Sequence, residues 1–201
     1  MQNTLFNETK KNILPGFGEV YYYGPVLTSK EADKYFTLLR DQLHWEQEKI
    51  RIAGKTIQME RMVAWYGDHP YPYTYSGATK IALPFTEELI SLKHLAEAAC
   101  HENYNSCLLN LYPNGHSGMG WHSDNENSIV PNSSIASLSI GATRKFSFKQ
   151  KSDKKSISLV LENGSLLEMR GTTQSYWLHS LPKSKRITEP RINLTFRRMI
   201  E

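Results

Sequence analysis

The rhythm of apolar and polar positions changes once along the chain. In the first half two stretches repeat at helical spacing. Ala32, Tyr35, Phe36, Leu39 and Leu43 fall on one helix face, opened by Thr28 and Glu31 as a capping box. A second helix is expected over 84–101, with Pro84 in its first turn and Phe85, Leu89, Leu92, Ala96 and Ala99 as its buried stripe. From Tyr104 onward the period drops to two. Leu109 and Leu111 lead to the turn Pro113-Asn114-Gly115, and Ile135, Ser137 and Ser139 alternate with Ala136, Leu138 and Ile140. Phe146 and Phe148, then Ile157, Leu159 and Leu161, then Leu167 and Met169 continue the pattern, with Asn163-Gly164 read as a hairpin turn. A strand Tyr176-Trp177-Leu178-His179 and a last one through Ile192, Leu194 and Phe196 complete it. Many short strands with regular turns predict a sandwich or jelly roll.

The remaining segments are less regular. Glu19-Val20-Tyr21-Tyr22-Tyr23 reads as a short strand broken by Gly24-Pro25. Residues 45–66 read as strands, with Ala53-Gly54-Lys55 as a hairpin tip. An aromatic cluster follows: Trp65, Tyr66, Tyr71, Tyr73 and Tyr75, with Pro70 and Pro72 among them, which exclude a central strand. These rings either stack flat ligands or fill core and rim. No break in composition separates a second domain.

Composition narrows the class. The chain has 201 residues, 39% hydrophobic and 22% charged, as in a globular domain. Cys100 and Cys107 are too few for a disulfide framework and are expected reduced and buried. No apolar run is long enough to span a bilayer, and the N-terminus lacks a secretory signal, so a cytoplasmic monomer is the expectation. Net charge is +4 and the pI about 8.9, which tolerates an anionic partner without requiring one.

Candidate chemistry centres on Trp121-His122-Ser123-Asp124-Asn125-Glu126. In an extended strand His122 and Asp124 would point to one face, with His179 the best third ligand among seven histidines. Two histidines and one carboxylate leave a metal with open positions, the pattern of a non-haem Fe(II) oxygenase site. An isolated His-x-Asp also occurs in ordinary surface turns. The strand 191–197 adds a second signal, because Arg191, Asn193, Thr195 and Arg197 share one face. Directed inward, its arginines call for an anionic ligand such as a dicarboxylate; directed outward, they make a solvated sheet face.

Taken together, Asn110-Leu111-Tyr112, His122-x-Asp124, His179 and Arg191-x-Asn193-x-Thr195-x-Arg197 resemble the AlkB family of Fe(II)- and 2-oxoglutarate-dependent dioxygenases. The segments 135–144 and Tyr73-Thr74-Tyr75-Ser76 are similar to its animal-type DNA-repair branch. The resemblance implies an α+β, mainly β fold: a double-stranded β-helix (jelly roll) braced by N-terminal helices. It divides a single domain, 1–201, into an N-terminal extension and helix (1–44), a nucleotide-recognition region (45–83) and a jelly-roll core (104–198). It implies Fe(II) on His122, Asp124 and His179, and 2-oxoglutarate on Asn110, Tyr112, Arg191, Asn193, Thr195 and Arg197, with O2 as the further cosubstrate. Substrate positions would be Tyr73, Thr74, Tyr75, Asn125, Glu126 and Trp45. The implied reaction is oxidative demethylation of N1-methyladenine and N3-methylcytosine, DNA favoured over RNA, with formaldehyde released. Location would be cytoplasmic, or nuclear in a eukaryote. Two departures stand out. Ala53 is small where the duplex-preferring relative carries a bulky wedge, which favours unpaired substrate. Asn125 stands where the repair relatives often have an acidic residue.

Overall fold

The computed structural model describes residues 11–52, 55–75 and 78–200, without the side chains of 48–52, 55–56, 73–75 and 78. Strand β1 (Glu19–Pro25) runs through Gly24-Pro25 instead of stopping there. Its register against β12 (Ser165–Arg170) slips between Tyr22 and Gly24, a bulge that Gly24 accommodates at φ 68. Thr28 then caps α1 (Ser29–Gln42) in a complete capping box with Glu31.

Strands β2 (Glu46–Ile52) and β3 (Lys55–Gly67) pair antiparallel, Ile52 opposite Lys55. The expected tip residues Ala53 and Gly54 lie outside the described residues. β4 (Pro72–Tyr75) and β5 (Ala78–Ile81) form a separate two-stranded sheet. Tyr73 and Tyr75 are therefore strand residues, off the main sheets as the prolines require. Pro84 lies in β6 (Leu83–Pro84), a parallel bridge to β3, and not in a helix. Helix α2 (Glu87–Cys100) starts later than expected because Thr86, not Pro84, supplies the N-cap, accepting from the Leu89 N–H.

The β-rich half comprises β7 (Ser106–Tyr112), β8 (Met119–His122), β9 (Ile135–Gly141), β10 (Arg144–Gln150), β11 (Ser156–Leu161), β12, the single-turn α3 (Thr173–Tyr176), β13 (Trp177–Leu181) and β14 (Arg191–Arg197). Among the described residues one sheet runs β1-β12-β9-β14-β7-β3-β2, with β6 beside β3, and a second runs β11-β10-β13-β8. Consecutive strands β11 and β12 lie in different sheets. Asn163-Gly164 therefore carries the chain across the jelly roll; it is not a hairpin turn. Tyr176 closes α3, so its strand begins one residue later than expected.

The two faces of the large sheet bury different things. Outward, Leu138, Ile140, Ile192, Leu194 and Phe196 pack on Leu39, Leu89, Leu92 and Ala96 of the helices. Fully burying each such leucine contributes about 1.5–3 kcal/mol. Inward, Val20, Ile135, Leu167 and Met169 meet Phe146, Phe148, Trp177 and Leu181 of the small sheet. Both faces of β14 and β9 are covered, so their period-two pattern separates two interiors rather than core from solvent. The fold is thus the mainly β, helix-braced jelly roll that was expected. Its large sheet also takes strands from 19–25 and 55–67. Cys100 and Cys107 are buried thiols outside any disulfide. Among the described residues no helix is long and apolar enough to cross a membrane.

Candidate active site

The metal ligands come from the edge of the small sheet. His179 on β13 pairs with His122 on β8, and their rings lie 4.2 Å apart between centroids. β8 ends at His122, so Asp124 lies beyond the strand and not on it as expected. It still reaches the same point: one potential ligand atom from each of His122, Asp124 and His179 lies within 4.8 Å of the others. A register slip sets this up, because His179 faces His122 while Leu181 faces Met119. The extra residue lets Met119 and His122 both line the cavity and turns Trp121 out to solvent.

Protonation suits a cation. Burial pushes the His179 imidazole down to about 3 despite the pull of Asp124. It is neutral at physiological pH, with a lone pair to donate. Burial opposes ionisation of Asp124, but Arg197 and the two histidines outweigh it and hold the carboxyl at about 2. His122 Nδ1 lies 2.8 Å from the Gly120 carbonyl, which only accepts. Nδ1 therefore carries a proton, and Nε2, 3.8 Å from Asp124 Oδ1, is the nitrogen turned towards the other two candidate ligands. Two imidazoles and a carboxylate on one side of a cavity fit Fe(II).

The cavity, of about 170 Å3, runs from these ligands to the inner face of β14. All six residues expected to hold 2-oxoglutarate line it: Asn110, Tyr112, Arg191, Asn193, Thr195 and Arg197. The register explains the cluster, since Arg191 faces Tyr112 and Asn193 faces Asn110 across β14 and β7. Arg191 is 2% exposed, so the solvated-face alternative fails. Its Nη2 donates to Ser139 Oγ at 2.8 Å and Asn193 Oδ1 at 2.7 Å, while Nε has no partner among the described residues. Asn193 in turn donates to Thr195 Oγ1 at 2.9 Å. Burial lowers the Arg191 pKa to about 10, so it stays cationic at neutral pH. A buried guanidinium with no carboxylate beside it among the described residues fits a ligand carboxylate, and 2-oxoglutarate has one at each end.

Arg197 does something the sequence did not show. Its Nη2 holds Asp124 Oδ2 at 2.8 Å, leaving Oδ1 turned towards His122. The C-terminal strand therefore orients a candidate metal ligand as well as lining the cavity.

Substrate candidates divide. Glu126 lines the cavity at its exposed mouth, and Asn125 lines a small adjoining hollow. Trp45 is not among the lining residues; it packs against the helix-side core and donates Nε1–H to the Leu39 carbonyl at 3.1 Å. The side chains of Tyr73, Thr74 and Tyr75 lie outside the described residues. Several site residues went unread in the sequence: Arg61, Met119, Ser137, Ser139, Arg144 and Gln174. The serines had a signal, two polar positions on the inner face of an otherwise apolar strand. Arg144 had none; it ties down the carbonyls of Ser117 and Pro182 at 2.9 and 3.0 Å beneath the Tyr112 ring.

Comparison with known proteins agrees with this geometry. The family model of the 2OG-Fe(II) oxygenase superfamily matches residues 19–197. The Alpha-ketoglutarate-dependent dioxygenase alkB homolog 3 of Bos taurus is 40% identical over 178 residues, 84% of this chain and 62% of that protein. The Homo sapiens homolog 3 is 37% identical over 192 residues, 90% of this chain and 66% of that protein. The chain thus spans just under two thirds of the length of these two relatives. DNA oxidative demethylase ALKBH2 of Homo sapiens is 34% identical over 189 residues, 89% of this chain and 72% of that protein. The solved structure of OsALKBH1 superposes with a TM-score of 0.65 at 18% identity, covering 94% of this chain and all of that one, which supports the fold. The matched span runs from β1 to the last residue of β14 and includes every strand that builds the cavity. The chain therefore belongs to the 2OG-Fe(II) oxygenase superfamily, within its AlkB-like group and alongside animal homologs 2 and 3.

Proposed function

We propose that this protein is an Fe(II)/2-oxoglutarate-dependent dioxygenase that removes methyl groups from N-alkylated bases of nucleic acid. The observation that carries the reading is a single buried cavity joining His122, Asp124 and His179 to the Arg191 guanidinium. Iron bound there with 2-oxoglutarate and O2 supplies oxidising power: the diacid leaves as succinate and carbon dioxide, and an N-methyl group gains a hydroxyl. The resulting N-hydroxymethyl group breaks down to formaldehyde and the unmodified base.

The chain's own residues position and shield. Arg191, steadied by Ser139 and Asn193, takes one carboxylate deep in the barrel. Asn110 and Tyr112 flank the diacid from β7. Asp124, gripped by Arg197, offers one oxygen in a fixed direction. Phe146 stacks on His179 with centroids 5.6 Å apart and keeps that side of the site dry.

The base specificity rests on the relatives named DNA oxidative demethylase and on the cavity mouth. N1-methyladenine and N3-methylcytosine are cationic, and Glu126 at the mouth favours a positive ring. Both lesions block normal pairing, so taking them out of a stack costs less. Trp121, exposed beside His122, has the Lys149 ammonium 4.4 Å over its ring, a surface suited to bases and phosphates. With the small Ala53 in the segment where the sequence predicts a hairpin tip, we place unpaired DNA first, acted on by a monomer in the cytoplasm or nucleus.

The same chemistry on RNA, protein or a small molecule is the second reading, since the metal and diacid residues serve all of them equally. Formaldehyde release measured in parallel on methylated single-stranded DNA, duplex DNA and RNA separates the two. The expected order has single-stranded DNA first. Succinate formed with no nucleic acid repaired would reject the base-demethylation reading and keep the dioxygenase.

A further inference from the structure

Asp124 raises a question of position that the sheets do not answer. β8 stops at His122, so no ladder bond fixes the residue two places on. Arg197 holds the carboxylate, but the direction in which the side chain leaves the main chain is set elsewhere. The Asp124 N–H donates to Gln174 Oε1 at 3.0 Å, and both residues are buried. Gln174 belongs to α3, whose single turn has no helix of its own to steady it.

Contacts from three directions steady it instead. The Thr173 hydroxyl donates to the Arg170 carbonyl at 2.7 Å and accepts from the Glu19 N–H at 2.8 Å, tying α3 to β12 and β1. Lys151, just after β10, donates to the Gln174 carbonyl at 2.9 Å and lies 3.3 Å from Ser123 Oγ. Gln174 Nε2 lies 3.5 Å from the sulfur of Met169, a cavity-lining residue. The short segment that carries Asp124 is thus pinned by Gln174 from behind and by Lys151 from the side.

We propose that Gln174 is a positioning residue for the metal, acting through the Asp124 backbone, with Lys151 bracing both. The inference rests on the metal reading of the site given above. Losing a hydrogen bond that orients a ligand typically weakens metal affinity about 10–100-fold. A merely structural glutamine would instead change the melting of the metal-free protein.

Mn(II) binding to the full chain, followed by the electron paramagnetic resonance of free Mn(II), tests this without any turnover. Gln174→Met keeps the length and removes the amide acceptor; Gln174→Glu keeps an oxygen in its place. The expected result is metal-free Gln174→Met that melts with the parent, binds Mn(II) about 10–100-fold more weakly, and is largely rescued by Gln174→Glu. Parent-like affinity in Gln174→Met overturns the proposal, as does a glutamate variant no better than methionine. If Gln174→Met does not fold, Lys151→Met at the surface takes its place: a several-fold loss of affinity supports the brace, and parent-like binding overturns it. A parent that binds no Mn(II) would fell the metal reading and this inference together. Normal binding by parent and variants alike would fell the inference alone.

Discussion

At the scale of single residues, two buried arginines on one strand do unlike work, and their substitutions should differ. Arg191 has no carboxylate beside it among the described residues, so Arg191→Met replaces a buried charge by apolar volume. The loss of its bonds to Ser139 and Asn193 is offset by removing an unpaired buried charge. Melting and Mn(II) binding should stay near the parent, while KM for 2-oxoglutarate rises about 10–100-fold, the equivalent of ~1.5–3 kcal/mol for charged hydrogen bonds. An unchanged KM would remove Arg191 from the diacid site. Arg197 holds Asp124 at 2.8 Å, so Asp124→Ala takes a carboxylate from a buried guanidinium as well as a ligand from the metal. It should abolish Mn(II) binding and lower metal-free stability by about 3–5 kcal/mol in urea melts. Both arginines could be found in the sequence from the shared polar face. Their division of labour could not, because it depends on where the chain goes after His122.

At the scale of elements, local signals worked where one element supplied its own evidence. The capping box at Thr28 and Glu31 is complete, and the Thr28→Ala change should cost about 1 kcal/mol of stability by chemical denaturation. Helix α1 packs on the outer face of the large sheet, so the same variant should keep the parent's Mn(II) affinity. A drop in that affinity would show coupling through the sheet. Signals failed where two elements competed. Pro84 suits a first helical turn, yet Thr86 is the better cap and Pro84 pairs with β3. Asn163-Gly164 has hairpin chemistry, but its flanking strands belong to opposite sheets, and Gly164 meets the Leu27 backbone too closely for a side chain. The β8 slip that turns Met119 and His122 the same way has no mark in the sequence.

At the scale of the whole molecule, the proposed nucleic-acid substrate, met by a chain of net charge +4, makes engagement partly a matter of salt. Raising salt from about 50 to 200 mM should raise KM for a methylated oligonucleotide and leave uncoupled succinate formation unchanged. A salt-independent KM would argue for a small uncharged substrate. The family, the fold class and the nine candidate metal and diacid residues that line one cavity were readable in the sequence, because ligand types and two-residue spacings are local facts that any strand preserves. The bond from Arg191 to Ser139, the grip of Arg197 on Asp124 and the support from Gln174 were settled by the tertiary structure. These depend on which strands become neighbours, and that is fixed by packing two sheets face to face and helices against one of them. Spacing along a chain records which side chains share a face; only the closed fold decides what that face meets.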